Sequence, residues 1–353
     1  MLFFRVKKIS NKNGLKSKQT TSMLSIKIEE KPEEMLKWLF IGTNLPIWAE
    51  FYPYILHDLK AFGTKSLLLK EEGNIAGHVL VFHEDAKILY FGFFGVINDE
   101  YEKIEFLLNE LIDYGKKNNF HKIIGPINIP IPIYGWGFLE KGSVANIFIG
   151  KPSNLPIYQE MFFQKGFKVK TSEISLEGPV MKTDKKIMRA IDSENYEFFH
   201  PKSWEEVLKF KEDFFRLNEN LPRESVITPG AEYLYENYIK FIKQYGDLFL
   251  INLLRYLPDN QIVGCFFCLP NPFRKNERND LDSGAAFIIL IEKKQQKQGL
   301  GGLLMLYTGN EAWKNDYRYN ISPFEINSIH SITLAKKFGF KHKRTHLILE
   351  YLI

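Results

Sequence analysis

The chain has 353 residues, 45% of them hydrophobic and 25% charged, with a net charge of +5. That length allows two domains with cores of their own. The composition excludes wholesale disorder, and so mild a charge gives no footprint of nucleic-acid binding. No apolar run approaches the roughly 20 residues that cross a bilayer, so no membrane partner is expected.

Residues 1–23 open basic, with Arg5, Lys7, Lys8, Lys12, Lys16 and Lys18 and no acid in Met1–Ser22. The apolar piece Met1–Phe4 is too short for a secretory h-region. A flexible tail is expected, with a transit-like segment or a true start at Met23 as alternatives. Ser25–Glu30 alternates as a strand, and Lys31–Phe40 reads as a helix with Pro32 in its first turn. Asn44–Phe62 carries an aromatic stripe (Trp48, Phe51, Tyr52, Tyr54) whose spacing suits a core. Leu67–Lys70 and Ile75–His83 flank Glu71-Glu72-Gly73-Asn74, a hairpin signal. Ile88–Val96 is a strand. Tyr101–Lys116 has helical spacing at Ile104, Leu107, Leu108 and Leu111. A strand at Lys122–Asn128, a helix at Asn154–Lys165 and a strand from Lys168 follow.

The order then restarts. Tyr196–His200 reads as a strand. Ser203–Asn220 reads as a helix opened by a capping box, Ser203 with Glu206. Ala231–Tyr245 is a helix, and Leu248–Tyr256 and Gln261–Leu269 form a hairpin. Ala285–Ile291 is a continuous apolar run and predicts a buried strand. A helix to about Trp313, a strand Tyr319–Ile326, a helix Ser328–Phe338 and a strand Thr345–Leu352 complete the chain. The two halves match at nearly constant offset: Gly73-Asn74-Ile75-Ala76-Gly77 answers the segment ending Ile262-Val263-Gly264, and Gly166-Phe167 answers Gly339-Phe340. The whole unit is therefore repeated. Cys265 and Cys268 lie in one apolar strand and point to opposite faces, which predicts buried thiols and no disulfide framework. A reducing, cytoplasmic setting and no metal are expected.

Ser283–Leu304 organises the second half. The apolar strand gives way at once to Glu292–Gln298, then Gly299, Gly301 and Gly302, then the leucines of a helix. Strand, glycine loop and helix N-terminus together suit an anion, because glycine lets backbone N–H groups approach and the helix dipole adds to them. Lys293, Lys294 and Lys297 add positive charge. Gln296-Lys297-Gln298-Gly299-Leu300-Gly301 fits Q/R-x-x-G-x-G/A, and it resembles the acyl-CoA pyrophosphate loop of the GNAT N-acetyltransferase superfamily. Tyr90–Lys103, Ile123–Asn128, Lys151–Phe167, Phe324–Asn327, Lys336–Phe340 and Lys343–Glu350 resemble a bacterial and archaeal family of two-domain GNAT-type acetyltransferases.

The resemblance implies an α/β (α+β) fold of two tandem GNAT-like domains, each a mixed, mostly antiparallel twisted sheet flanked by helices. Residues 24–178 would form a degenerate domain without the phosphate loop, 179–194 a linker, and 195–353 the domain with the acyl-CoA loop. In the first half Asn98-Asp99-Glu100 stands where the glycines would be, and acids at a helix start repel pyrophosphate. The resemblance implies acetyl-CoA or another acyl-CoA as co-substrate. It would be held by strand residues Leu290, Ile291 and Glu292, loop residues Gln296, Lys297, Gln298, Gly299, Leu300, Gly301 and Gly302, and Asn327. It also implies direct attack of an amine on the thioester, the acceptor being a small molecule or a peptide.

A general base is needed to deprotonate the attacking ammonium. Glu325, on the strand flanking the implied slot, is the candidate, with Glu292 second. The tyrosine that many of these enzymes use as acid is replaced by Ala335, leaving Ser331 or His330 as weak substitutes. Two other readings stand beside the N-acyltransferase: a non-catalytic acyl-CoA-binding sensor, and a Fem-type aminoacyl transferase, which would not need the pyrophosphate loop.

Overall fold

The computed structural model describes residues 23–43, 45, 48–84, 86–142, 148–180, 182, 194–219 and 231–353, without the side chains of 231–235, 325 and 330. The basic tail before Met23 and nearly all of the expected linker lie outside the described residues. The first half runs β1 (Leu24–Glu29), α1 (Pro32–Trp38), α2 (Tyr52–Ala61), β2 (Lys65–Glu71), β3 (Asn74–Phe82), β4 (Ile88–Val96), α3 (Tyr101–Lys117), β5 (Lys122–Gly125), α4 (Ile131–Tyr134), β6 (Phe138–Lys141), α5 (Pro156–Gln164) and β7 (Lys168–Pro179). The second runs β8 (Tyr196–Phe199), α6 (Trp204–Lys209), α7 (Lys211–Asn218), α8 (Ala231–Tyr245), β9 (Ile251–Tyr256), β10 (Gln261–Pro270), β11 (Ser283–Ile291), α9 (Leu300–Lys314), β12 (Tyr319–Glu325), α10 (Ile329–Lys337) and β13 (Lys341–Leu352).

Most elements fall where apolar spacing puts them. The expected helix Ser203–Asn220 is instead two, because Phe210 leaves helical geometry (ψ 12°) between α6 and α7. Its capping signal is real: Ser203 Oγ accepts from Glu206 N–H at 3.3 Å. The Glu206 carboxylate reaches one residue further back than the usual box, to Lys202 N–H at 2.7 Å. The short elements α4 and β6 carry no periodic signal and were not expected.

The strands form one sheet in the order β1-β2-β3-β4-β5-β13-β7-β12-β11-β10-β9-β8, with β6 beside β13. Only β4/β5 and β11/β12 are parallel; the other pairs are antiparallel. The order is symmetric about the β13/β7 pair, and the strand closing each half is exchanged. β7 pairs with β12 from Tyr319↔Pro179 to Glu325↔Glu173, while β13 pairs with β5 over Leu349–Leu352. The two halves therefore share one continuous backbone ladder.

Helices cover both faces. On one face a single core spans the halves, with α2 packed on α8. Tyr54 and Phe241 meet edge to face at 5.3 Å, as do Phe51 and Tyr245 at 5.2 Å, and Asn237 donates to Asp58 Oδ1 at 2.7 Å. The aromatic stripes of the sequence are thus spent on this seam. On the other face α3 and α5 cover the first half, and α9 and α10 the second. Cys265 and Cys268 are buried in different clusters, and burial pushes both thiols up to about 12. Among the described residues no helix is long and apolar enough to cross a membrane, and no group of three His, Cys, Asp or Glu side chains is placed to hold a metal.

His78 gives the fold a pH dependence. Its Nδ1 lies 3.1 Å from Phe93 O and its Nε2 2.8 Å from Ser66 Oγ. A carbonyl only accepts, so Nδ1 carries the proton and Nε2 accepts from the hydroxyl. Burial lowers this imidazole from 6.5 to about 4. Between those values the unfolded chain binds the extra proton and the folded chain does not. Stability therefore falls as pH drops from 6.5 towards 4, by on the order of 3 kcal/mol from this group. His346, lowered to about 3 by burial and then by Lys151, acts in the same direction. Denaturant midpoints should fall between pH 7 and 5, and His78→Asn, which does not titrate, should remove its share of the slope.

Candidate functional site

β11 and β12 pair over only three residues, Ser283–Ala285 with Tyr319–Ile321, and then separate. The register between β10 and β11 jumps from Phe267↔Ile288 to Cys268↔Ala286, leaving Phe287 as a bulge that bends β11. The separation opens a slot of about 280 Å³, counted with the solvent at its mouth, between Ala286–Ile289 and Ser322–Phe324, with Phe266 and Met305 also lining it. Backbone groups line its β11 edge. Glu292 N–H donates to Val263 O on β10 at 2.8 Å, so Glu292 and Leu290 turn their main chain towards β10. By alternation Ile289 and Ile291 turn theirs to the open side. Leu290 supplies its side chain to the core, 4% exposed.

The loop after β11 is held in shape by side chains. Gln296 Nε2 donates to Ile291 O at 3.0 Å, which ties the loop to the strand end. Tyr196 Oη lies 2.6 Å from Gln295 Oε1 and 3.1 Å from Gln298 Oε1. Lys297 (φ 66°) and Gly299 (φ 82°) are both left-handed, which is costly for lysine and easy for glycine. Gly299 caps α9, and the first N–H to bond back is Leu303, to Gly299 O at 3.1 Å. The N–H groups of Leu300, Gly301 and Gly302 therefore precede the helical ladder, as at any helix start. A Cβ on Gly299 would meet nothing within 4 Å, and one on Gly301 only Ile291 Cγ1 at 3.7 Å, so the space before these amides is open. Gly302 has another reason to be glycine: a Cβ there would lie 2.9 Å from Leu334 Cδ2 of α10.

The charge around the loop is positive. Glu292, the second candidate base, is paired with Arg216 Nη1 at 2.9 Å, and Arg216 also contacts Asp213 and Ile262 O. Lys293, Lys294 and Lys297 remain exposed. Open amides, a helix N-terminus and three lysines suit a pyrophosphate-sized anion. Tyr196 and Arg216 were not foreseen, and no short-range pattern marks them: they support the loop from about 80–100 residues upstream.

The first half has the same strand separation, and hydrogen bonds from its own chain cross it. β4 and β5 pair only over Ile88–Tyr90 with Lys122–Ile124. Beyond that, Ile127 N–H donates to Phe91 O at 2.7 Å and Phe93 N–H to Asn128 Oδ1 at 2.7 Å. A Cβ on Gly92 would lie 2.0 Å from Ile127 O, and one on Gly95 2.5 Å from Gly42 C. Tyr158 of α5 accepts from Val96 N–H at 3.2 Å and donates to the Asp99 carboxylate. The place that α9 leaves open is narrowed here by the chain itself, and a pocket lined by Gly42, Phe93, Asn128 and Tyr158 remains beside these contacts.

Glu325 ends β12, directly opposite Glu173 of β7. Glu173 is buried against the Lys151 ammonium. Ser331 lies on α10 one turn before Leu334, on the face that packs at the start of α9, and is half-buried. Its counterpart in the first half is Tyr158, each nine residues before the phenylalanine of its Gly-Phe. Ala335 is fully buried among Ile174, Leu176, Phe324 and Ile332. Asn327 is exposed in the turn before α10, with its carbonyl accepting from Ile329 N–H at 2.9 Å. The strand end, the glycine loop and the start of α10 are thus gathered at one end of the slot.

No family model matches the chain, and no curated protein matches it. Solved structures do. A GCN5-related glucosamine N-acetyltransferase region of a fungal multi-domain GH3 β-N-acetylglucosaminidase superposes with TM-score 0.62 at 13% identity, over 94% of this chain and 38% of that one. A tandem GNAT protein from the clavulanic acid biosynthesis pathway gives TM-score 0.60 at 9% identity, over 94% of this chain and 98% of that one. A GCN5-related N-acetyltransferase from Sphaerobacter thermophilus gives 0.51 at 10%, over 81% and 80%. This chain spans little more than a third of the first of these proteins and nearly the whole of the second. At such identities the likeness defines the fold: a tandem GNAT arrangement in a mixed α/β chain.

Proposed function

We propose that the protein is an acyl-CoA-dependent N-acyltransferase whose second half alone holds the acyl-CoA. The observation that carries this reading is the coincidence of the β11/β12 slot with the open glycine loop at its end. Leu300, Gly301 and Gly302 N–H groups would meet the pyrophosphate, supported by Lys297 and the flanking lysines. The main chain of Ile289 and Ile291 would meet the amide-bearing arm of the co-substrate. The first half, which has Asn98-Asp99-Glu100 in place of the glycine loop, would act as support and as one wall of the acceptor site.

In this reaction class the amine nitrogen bonds to the thioester carbonyl carbon, the C–S bond breaks, and the ammonium proton passes to a base. Glu325 is the candidate base because it ends the strand that borders the slot. Ser331 of α10 is the weak candidate acid, and a thiol of pKa about 8.5 leaves tolerably without one. Glu325→Gln should lower kcat by about 10²- to 10³-fold with acetyl-CoA affinity unchanged, measured as acceptor-dependent release of free thiol across a panel of amines. An unchanged kcat would place the base elsewhere. The core position of Ala335 favours one other reading, an acyl-CoA sensor without turnover, for which no amine in the panel would release thiol although acetyl-CoA binds.

A further inference from the structure

The slot does not stand alone. Phe266, Met305 and Ser322 also line a second, larger cleft of about 680 Å³, counted with the solvent at its mouth, between α9 and the sheet. It runs on beyond the point where β11 and β12 come together, past Gly284, under Gly309 and Ala312 of α9. Its lining is mostly apolar and includes Leu250 from before β9 and Phe338 and Phe340 from beyond α10. Hydroxyls at its edge are already satisfied: Thr308 Oγ1 donates to Leu304 O at 2.9 Å and Tyr317 Oη to Asp247 Oδ2 at 2.7 Å. Interiors are normally packed to density, with few voids. An apolar cleft joined to a binding slot therefore suits an apolar occupant that arrives through the slot.

We propose that this cleft takes the acyl chain, and that the protein uses acyl-CoAs longer than acetyl-CoA, with a saturated chain of about four to eight carbons. The inference rests on the acyl-CoA reading above and names the substrate class of that same site. The loop anchors the pyrophosphate at one end of β11, the slot carries the arm along Ile289–Ala286, and the direction of travel leads to the cleft. Met305 stands where slot and cleft meet, and its unbranched, rotatable side chain suits a junction that a chain must pass. Glycine at 284 keeps the passage wide: a Cβ there would lie 3.5 Å from Asn320 Oδ1 and 3.8 Å from Tyr317 Cδ1, inside the cleft but without a clash.

The test is a calorimetric titration of the full chain with free CoA, acetyl-, butyryl-, hexanoyl- and octanoyl-CoA. Each methylene moved from water into the cleft should tighten binding about fourfold, so hexanoyl-CoA, longer by four of them, should bind about 250-fold tighter than acetyl-CoA. Gly284→Val and, separately, Ala312→Leu should erase that preference while leaving the affinities for CoA and acetyl-CoA in place. Circular dichroism and melting of each variant show whether it folds. Binding of CoA and acetyl-CoA with no gain for the longer chains overturns the acyl-chain assignment and leaves the co-substrate reading standing. Binding of no CoA species overturns both.

Discussion

Gly301→Glu abolishes acyl-CoA binding, by at least about a hundredfold, and leaves the fold intact. The first half of this expectation is electrostatic and steric. The new carboxylate would sit at the second position of α9, in the space before the amides that are free to meet an anion. The second half follows from the surroundings. A Cβ at Gly301 meets only Ile291 Cγ1, at an ordinary 3.7 Å. An acid in the first turn is favoured by the helix dipole, by some tenths of a kcal/mol. Stability should therefore hold or rise slightly while binding is lost. Gly302→Ala is the contrasting variant. Its Cβ would press on Leu334, so it should disturb the seating of α10 before it disturbs charge. If Gly301→Glu binds acetyl-CoA as the wild type does, the glycine loop is only a turn.

Arg344→Met costs about 3–5 kcal/mol of stability, because it strands a buried charge. Arg344 Nε donates to Glu177 Oε1 at 2.7 Å, and the two side chains are only 3% and 4% exposed. Tyr319 donates to the other carboxylate oxygen at 3.0 Å. Burial and then Glu177 push that phenol up to about 12, so it stays protonated and goes on donating. Without the guanidinium one hydroxyl is left to satisfy a buried carboxylate. Replacing both partners, Arg344→Met with Glu177→Leu, removes the stranded charge and should recover most of the loss. Glu177 lies on β7 and Arg344 on β13, the two exchanged strands. The pair therefore joins the halves, and the single variant should lower one cooperative denaturant transition rather than split it. A loss below about 1 kcal/mol would mean that water reaches the pair.

The sequence made much of this legible, and the limits have physical reasons. Helices α3 and α8 announce themselves by period, and strands β4 and β11 by unbroken apolar runs, because each buries one face or both. The glycine loop was legible because left-handed backbone and open amides restrict residue type. The exchange of β7 and β13 was not: a buried strand needs the same alternation whichever neighbour it pairs with, so pattern cannot say which half receives it. The altered site of the first half was legible only in outline. Asp99 and Glu100 predict poor anion binding, yet nothing local shows that Ile127 and Asn128 bond across to β4 or that Tyr158 reaches Asp99. Tyr196 and Arg216 support the loop across long stretches of chain, and such contacts leave no trace in spacing. The cleft beneath α9 is likewise invisible in one dimension, since Gly284 and Ala312 read as ordinary small residues of a strand and a helix.

One measurement tests the central claim most directly: calorimetric titration of acetyl-CoA into the purified protein, beside free CoA and dephospho-CoA. One site per chain is expected, at micromolar affinity or tighter, because the loop before α9 joins open amides to glycines and lysines, whereas Asp99 and Glu100 stand before α3. Two equal sites per chain would contradict the reading of the first half as lacking a phosphate loop, and no binding at all would contradict the assignment of the glycine loop itself.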